Sequence, residues 1–186
     1  MLPWPRRNGA VAIFSCLVSD KPMTAAVPSY QKEWIEMEHR CCAFLDTHLW
    51  VAASPMIDYD LELRQHNEVL RRRYGIRESD RVLDVGCGTG QTSREAAQLA
   101  PTGAVLGIDR SDAMIARARA LACAANLRNL DHQCADVERH ALPRERFDVA
   151  ISRFGTMFFD HPIVAFCNIR SALRPDGRLV LLLGRP

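Results

Sequence analysis

The sequence predicts an α/β fold, a doubly wound parallel sheet of about five strands that follows a set of N-terminal helices. Three observations carry this. From residue 81 onward, short and nearly continuous apolar runs alternate with segments of helical period, the pattern of strands buried on both faces. The first run closes in "VGCGTG", a turn whose glycines let a ligand sit directly against the backbone. The next two runs each lead into an aspartate, Asp109 and Asp136.

Composition agrees with one soluble domain. A chain of 186 residues is long enough for a sizeable core, and 48% hydrophobic with 25% charged residues is ordinary for a globular protein. The net charge of +2 comes from scattered basic residues, so no nucleic-acid partner is expected. The densest cluster, "RRRY" at 71–74, reads as the solvated last turn of a helix. Seven cysteines without a C-x-x-C pair argue against a zinc site or a disulfide framework. They suit free thiols in a reducing compartment, and a cytoplasmic location is expected.

Residues 1–29 lack a sustained period and read as a loosely ordered extension. Within it, Arg6 and Arg7 precede an apolar run at 10–18 that has the look of a short signal peptide. No A-x-A site follows, and the run is too short to span a membrane, so no membrane partner is expected. Residues 30–80 read as a helical cap. Trp34, Met37, Cys41, Phe44, Leu45 and Leu49 recur at helical spacing and predict a helix over 31–50, broken at "ASP". A second helix is predicted over 58–74, with Gly75 as its C′ residue.

Residues 81–186 read as the ligand-binding domain. "RVLDVG" is a first strand, and "GQTSREAAQLA" a helix stopped by Pro101. "AVLGID" is a second strand. Ser111 caps the next helix, whose Met114, Ile115, Ala118, Leu121 and Ala122 share a face. "LDHQCAD" is a weaker third strand and "RFDVAISRF" a fourth. Asp160 caps a helix over 162–173, and "RPDG" turns the chain into a fifth strand, "RLVLLLG". Ligands of such sheets bind at the carboxyl ends of the strands, so residues 86–90, Asp109, Asp136 and residues 152–154 should share one rim.

The glycine pattern narrows the ligand. In the dinucleotide pattern G-x-G-x-x-G the third glycine would fall at Gln91. Here Asp84 precedes alternating glycines instead, and an acidic residue suits an amine better than a phosphate. Asp109 can accept both hydroxyls of a ribose, and Asp136 a hydrogen bond from an adenine amine. Together these describe a nucleoside with an amino-acid tail and no phosphates, the constitution of S-adenosylmethionine.

The segments "VLDVGCGTG", "VLGIDRSDAMIARAR", "CADVERHALPRERFDVAISRFGTMFFDHP" and "LRPDGRLVL" resemble, in order and spacing, the motifs of class I S-adenosylmethionine-dependent methyltransferases. The likeness is greatest to the small-molecule group related to ubiquinone and menaquinone biosynthesis. It covers residues 81–185 and implies a Rossmann-like fold and methyl transfer to a small-molecule acceptor. It further implies that Asp84, Gly86 and Gly88 hold the methionine moiety and that Gly90 lets the helix start close by. Asp109 would bind the ribose, Arg110 and Met114 would flank the adenine, and Asp136 with the backbone of Val137 would read its edge. Ser152 and its neighbours through Phe154 would face the reacting methyl group. Met114 has a second reading as a core residue.

Alignment of the acceptor with the S–CH3 bond carries much of the rate in such chemistry, and a protein base is optional. The catalytic residue is therefore left open. The candidates are His161 and His66, each with a plainer role on a helix, and Tyr30 and Tyr59 are comparable. No acidic cluster has metal-ligand spacing, so no metal is expected. The resemblance also implies a seventh strand lying antiparallel beside the fifth, whereas this chain ends just after the fifth. That predicts an open apolar edge at "LVLLL", covered by self-association, another partner or the N-terminal region, and a weakened transferase activity. Two alternatives stand beside this reading: a non-catalytic cofactor-binding or interaction fragment, and an NAD-dependent oxidoreductase.

Overall fold

The computed structural model describes residues 11–17 and 64–184. Strand β1 spans Val11–Leu17, helix α1 Arg64–Tyr74, β2 Arg81–Val85, α2 Gln91–Leu99, β3 Ala104–Asp109 and α3 Asp112–Ala124. There follow β4 Leu130–Cys134, β5 Phe147–Arg153, a 3-10 turn Gly155–Phe158, α4 Pro162–Ala172 and β6 Leu173–Gly184. The sheet order is β1-β6-β5-β2-β3-β4. All neighbours are parallel except β1, which runs antiparallel to β6. This is the Rossmann-like doubly wound sheet that the alternating pattern predicts. The chain moves outward from β2 to β4, returns to β5 on the other side of β2, and so opens a crevice between β2 and β5 at their carboxyl ends.

Alternation along each strand divides the core. Val82, Val105, Val149, Ile151, Val180 and Leu182 face Leu70 and Tyr74 of α1 and Ala96 and Ala97 of α2. Their neighbours Leu83, Ala150, Leu179 and Leu181 face Ala165, Ile169 and Ala172 of α4. Both faces of the inner strands are therefore apolar, which is why the strands read as unbroken hydrophobic runs.

Four expectations need correction. First, residues 1–29 are not loosely ordered throughout, because Val11–Leu17 pairs with β6 from Val11↔Gly184 to Leu17↔Arg178. An apolar run of strand length meets an edge that needs hydrogen-bond partners. Of the covers expected for this edge, the N-terminal region is the one present, and self-association through it loses its basis. Second, only residues 64–80 of the proposed 30–80 cap are described, and α1 there is a layer helix of the sheet, with Leu70 and Tyr74 buried. The helix over 31–50 lies outside the described residues, as do Tyr30 and Tyr59. Third, "RPDG" does not precede β6 but interrupts it. Pairing with β5 passes from Phe147↔Leu173 to Val149↔Arg178, so the turn bulges out between two paired stretches, with Asp176 at φ 61°. Fourth, Asp160 does not cap α4. His161 occupies the N-cap without a side-chain bond, and the Glu138 carboxylate accepts the N–H groups of Asp160 (2.7 Å) and His161 (2.8 Å) instead.

Candidate functional site

The loop after β2 is held by its backbone. The N–H groups of Gly86 and Cys87 both donate to the Ile108 carbonyl, at 2.8 and 3.0 Å, and Gly90 N–H donates to Cys87 O at 2.9 Å. Gly86 lies at φ 69°, and a Cβ there would stand 2.6 Å from Gly155 Cα. The loops after β2 and β5 thus cross at backbone contact, which only glycine permits. Gly88 lies at φ 54° with open space where a Cβ would project, so its requirement is conformational and it leaves room for a ligand.

Asp84 is buried completely. Its Oδ2 accepts hydrogen bonds from Thr92 Oγ1 and Ser93 Oγ, both at 2.6 Å, while Oδ1 has no partner among the described residues. Burial pushes its carboxyl above the usual carboxylate range, opposed by the two hydroxyls and the charge of Arg153. A buried carboxylate oxygen without a partner fits an ammonium group. Burial also raises the thiol of neighbouring Cys87, which stays protonated and unreactive.

Asp109 ends β3 with both oxygens oriented by backbone donors, Oδ2 by Gly88 N–H and Oδ1 by Ser111 N–H, each at 2.9 Å. Its remaining lone pairs fit a vicinal diol. Arg110 is exposed, with Nη1 3.8 Å from Asp160 Oδ2. Met114 is 39% exposed, which removes its reading as a core residue.

Asp136 lies just beyond β4, and its Oδ1 accepts Glu138 N–H at 3.0 Å. Asn168 of α4 ties this loop down. Its Nδ2 donates to Val137 O and His140 O, each at 2.7 Å, and its Oδ1 accepts Leu142 N–H at 3.4 Å. The Val137 side chain is buried, and its carbonyl accepts the Asn168 amide. The fit to an adenosyl ligand with an amino-acid tail thus rests on one unpartnered buried carboxylate, one oriented carboxylate and one tethered loop, at the ends of three adjacent strands.

Ser152 is a correction. It is buried, and its hydroxyl donates to Val85 O at 2.7 Å, so it braces the Gly86 turn and does not face a ligand. The next residue, Arg153, donates to Gln91 Oε1 at 2.7 Å, linking β5 to the start of α2. Phe154 adopts φ 62° and leads into Gly155, whose added Cβ would meet Val85 O at 2.6 Å. His161 is exposed at the N-cap of α4. His66 sits in the first turn of α1, and its side chain lies outside the described residues.

Thr92, Ser93, Gly155 and Asn168 were not identified from the sequence. The two hydroxyls follow the glycine turn directly in "GQTS", a signal open to sequence reading, since the first turn of that helix faces back onto the strand. Asn168 carries no local signal, because its bonds to the loop cross 31 and 28 residues of chain. Among the described residues, no group of three or more His, Cys, Asp or Glu is arranged to hold a metal ion, and no helix is long and apolar enough to cross a membrane. A cavity of about 360 Å³ opens at the opposite end of the sheet, where Arg174 pairs with Asp148 and Arg178 with Asp80.

Residues 82–177 match the family model described as "Methyltransferase domain". The chain is 31% identical over 112 residues to a malonyl-[acyl-carrier protein] O-methyltransferase of Bacillus cereus, an alignment covering 60% of this chain and 40% of that protein. It is 34% identical over 110 residues to a ubiquinone/menaquinone biosynthesis C-methyltransferase of Ectopseudomonas mendocina, covering 58% of this chain and 43% of that one. Among solved structures, an S-adenosylmethionine-dependent methyltransferase from Mesorhizobium loti superposes with a TM-score of 0.54 at 32% identity, over 61% of this chain and 51% of that one. The chain spans less than half the length of these two curated relatives.

Proposed function

The chain belongs to the methyltransferase-domain family, of the class I S-adenosylmethionine-dependent kind, and we propose from this that it transfers a methyl group to a small-molecule acceptor. The observation that carries the cofactor reading is the unpartnered oxygen of Asp84 in a wholly buried setting, beside Asp109 and Asp136 on the same rim. When bound, the cofactor supplies a sulfonium methyl that leaves to the acceptor as S-adenosylhomocysteine forms.

This chain's residues do the holding. Asp84 takes the ammonium of the amino-acid tail, and Gly86 and Gly88 let that tail lie against the backbone. Asp109 takes the ribose hydroxyls, held in place by Gly88 and Ser111. Asp136 and the N–H of Val137 take the adenine edge, with Arg110 and Met114 beside the ring. The crossing of Gly86 and Gly155 brings the β5 loop to the reacting centre, so Phe154 and Gly155, and not Ser152, border the acceptor. No base is assigned, since alignment of the acceptor and exclusion of water supply much of the rate. Four described cysteines, Cys87, Cys123, Cys134 and Cys167, are free thiols, and we place the protein in the cytoplasm on that basis.

Calorimetric titration with S-adenosylmethionine and with NAD tests the cofactor; tight NAD binding or no binding of either overturns the reading. Turnover to S-adenosylhomocysteine against a panel of small acceptors tests the transfer. Binding without turnover for any acceptor makes the chain a cofactor-binding protein instead.

A further inference from the structure

Asp84, Gly107 and His132 stand in one row across β2, β3 and β4, because Asp84 pairs with Gly107 and Gly107 with His132. The glycine leaves a hollow that its neighbours fill. A Cβ on Gly107 would lie 2.8 Å from His132 Cδ2, 2.8 Å from Ser93 Oγ and 3.1 Å from Cys87 Sγ. The imidazole continues outward beneath the glycine loop, where a Cβ on Gly90 would lie 2.7 Å from His132 Nε2 and 3.1 Å from the Ala118 Cβ. The ring is the floor of the turn that Gly90, at φ 75°, completes.

The backbone of His132 is fixed on both sides. Its N–H donates to Asp131 Oδ1 at 2.7 Å, and its carbonyl accepts Arg119 Nε at 3.2 Å and Nη2 at 2.6 Å. The residue is buried, and Nε2 has no hydrogen-bond partner among the described residues. A neutral ring tolerates an idle lone pair there. An imidazolium would carry an N–H at Nε2 as well, and no acceptor among the described residues meets it there. The charged groups around it are Asp131 on β4, Arg94 on α2 and Arg119 on α3, with Asp84 beyond Gly107 and the protonated Cys87 thiol in the loop. Burial holds the imidazole below its ordinary range, the two arginines add to this, and Asp131 opposes it.

We propose that His132 is a positioning residue for the cofactor: its neutral ring seats the glycine loop in its binding shape, and protonation unseats the loop. This rests on the S-adenosylmethionine reading above. A histidine less easily protonated in the fold than in the unfolded chain contributes stability above its ordinary pKa of about 6.5, and that stability is lost as pH falls through the lower folded value.

The test follows S-adenosylhomocysteine affinity from neutral to mildly acidic pH in the wild type, His132→Leu and His132→Gln. Wild-type affinity should fall by up to about tenfold for each pH unit below the folded pKa of the ring. Both variants should bind a few-fold more weakly at neutral pH and lose the part of the acid-side fall that His132 contributes, while the part set by Asp84, whose carboxyl burial raises, remains in all three proteins. Amide exchange at Gly88 and Gly90, referred to intrinsic rates, should lose protection on acidification in the wild type alone. Superimposable pH profiles in all three proteins overturn the proposal. A wild type that binds no S-adenosylhomocysteine at any pH overturns the cofactor reading; unchanged protection of the two amides on acidification then overturns the seat as well, and its loss upholds it.

Discussion

Asp84→Asn separates the burden of a buried charge from the use made of it. Asp84 is wholly buried, with two hydroxyls at 2.6 Å on one oxygen and no partner among the described residues on the other. Asparagine keeps the shape. Its carbonyl oxygen can accept both hydroxyls, which leaves its amide nitrogen where the unpartnered oxygen was. The free protein then no longer buries a charge without full compensation, so its stability should hold or rise by on the order of 1 kcal/mol. The bound state loses a charge-assisted hydrogen bond and sets an N–H donor against an ammonium, at about 1.5–3 kcal/mol. That is roughly a 10- to 150-fold loss of affinity. The pH dependence has a sign as well. Burial raises the folded pKa of Asp84 above its ordinary value of 3.8. The fold therefore holds this proton more readily than the unfolded chain does, and the stability it contributes falls as pH rises through the folded pKa. The asparagine variant lacks this slope. Calorimetric titration with S-adenosylmethionine at neutral pH, with thermal melts across the acidic range, measures all three effects. A lower melting temperature with unchanged affinity would refute the assignment, since Asp84 would then be a purely structural carboxylate.

Gly155→Ala places a Cβ 2.6 Å from Val85 O and 2.7 Å from Gly86 Cα, an overpacking expected to destabilise by about 1–3 kcal/mol and to weaken cofactor binding; an unchanged melt and titration would contradict the crossing. Asn168→Ala frees the carbonyls of Val137 and His140, each bond contributing about 0.5–1.5 kcal/mol, and should raise amide exchange over residues 136–142 together with a loss of cofactor affinity. Exchange unaltered in that loop would show that Asn168 does not tether it. Removing residues 1–17 uncovers the outer edge of β6 and should give concentration-dependent self-association by light scattering. A monodisperse monomer would show that the edge needs no cover.

Much of the sheet was legible because its signals are local. "AVLGID" coincides with β3, and "RVLDVG" exceeds β2 by its glycine alone. Gly75 takes the left-handed conformation expected of a residue just past a helix. The glycine turn and the aspartates after successive strands were readable for the same reason, since a parallel sheet brings its carboxyl ends to one rim whatever the intervening helices contain. Side-chain direction was less readable. Ser152 belongs to the right strand end and points to Val85 O instead of the rim, a distinction of strand parity and exact register. The N-terminus of α4 was misassigned because Glu138, 22 residues before Asp160, holds the N–H groups of Asp160 and His161, and His161 takes the N-cap without a side-chain bond.

By itself the sequence determined the fold class, the order of the parallel strands' helices and turns, and the carboxylates Asp84, Asp109 and Asp136 that suit an adenosyl ligand. These follow from hydrophobic period, turn chemistry and charge, all of which act over a few residues. Only the tertiary structure decided that β1 covers β6, that Gly155 lies against Gly86, that Asn168 tethers the loop after β4 and that His132 floors the glycine turn. Each joins segments far apart in the chain, and the free energy of such a contact depends on which backbone groups are left unpaired once the sheet has formed.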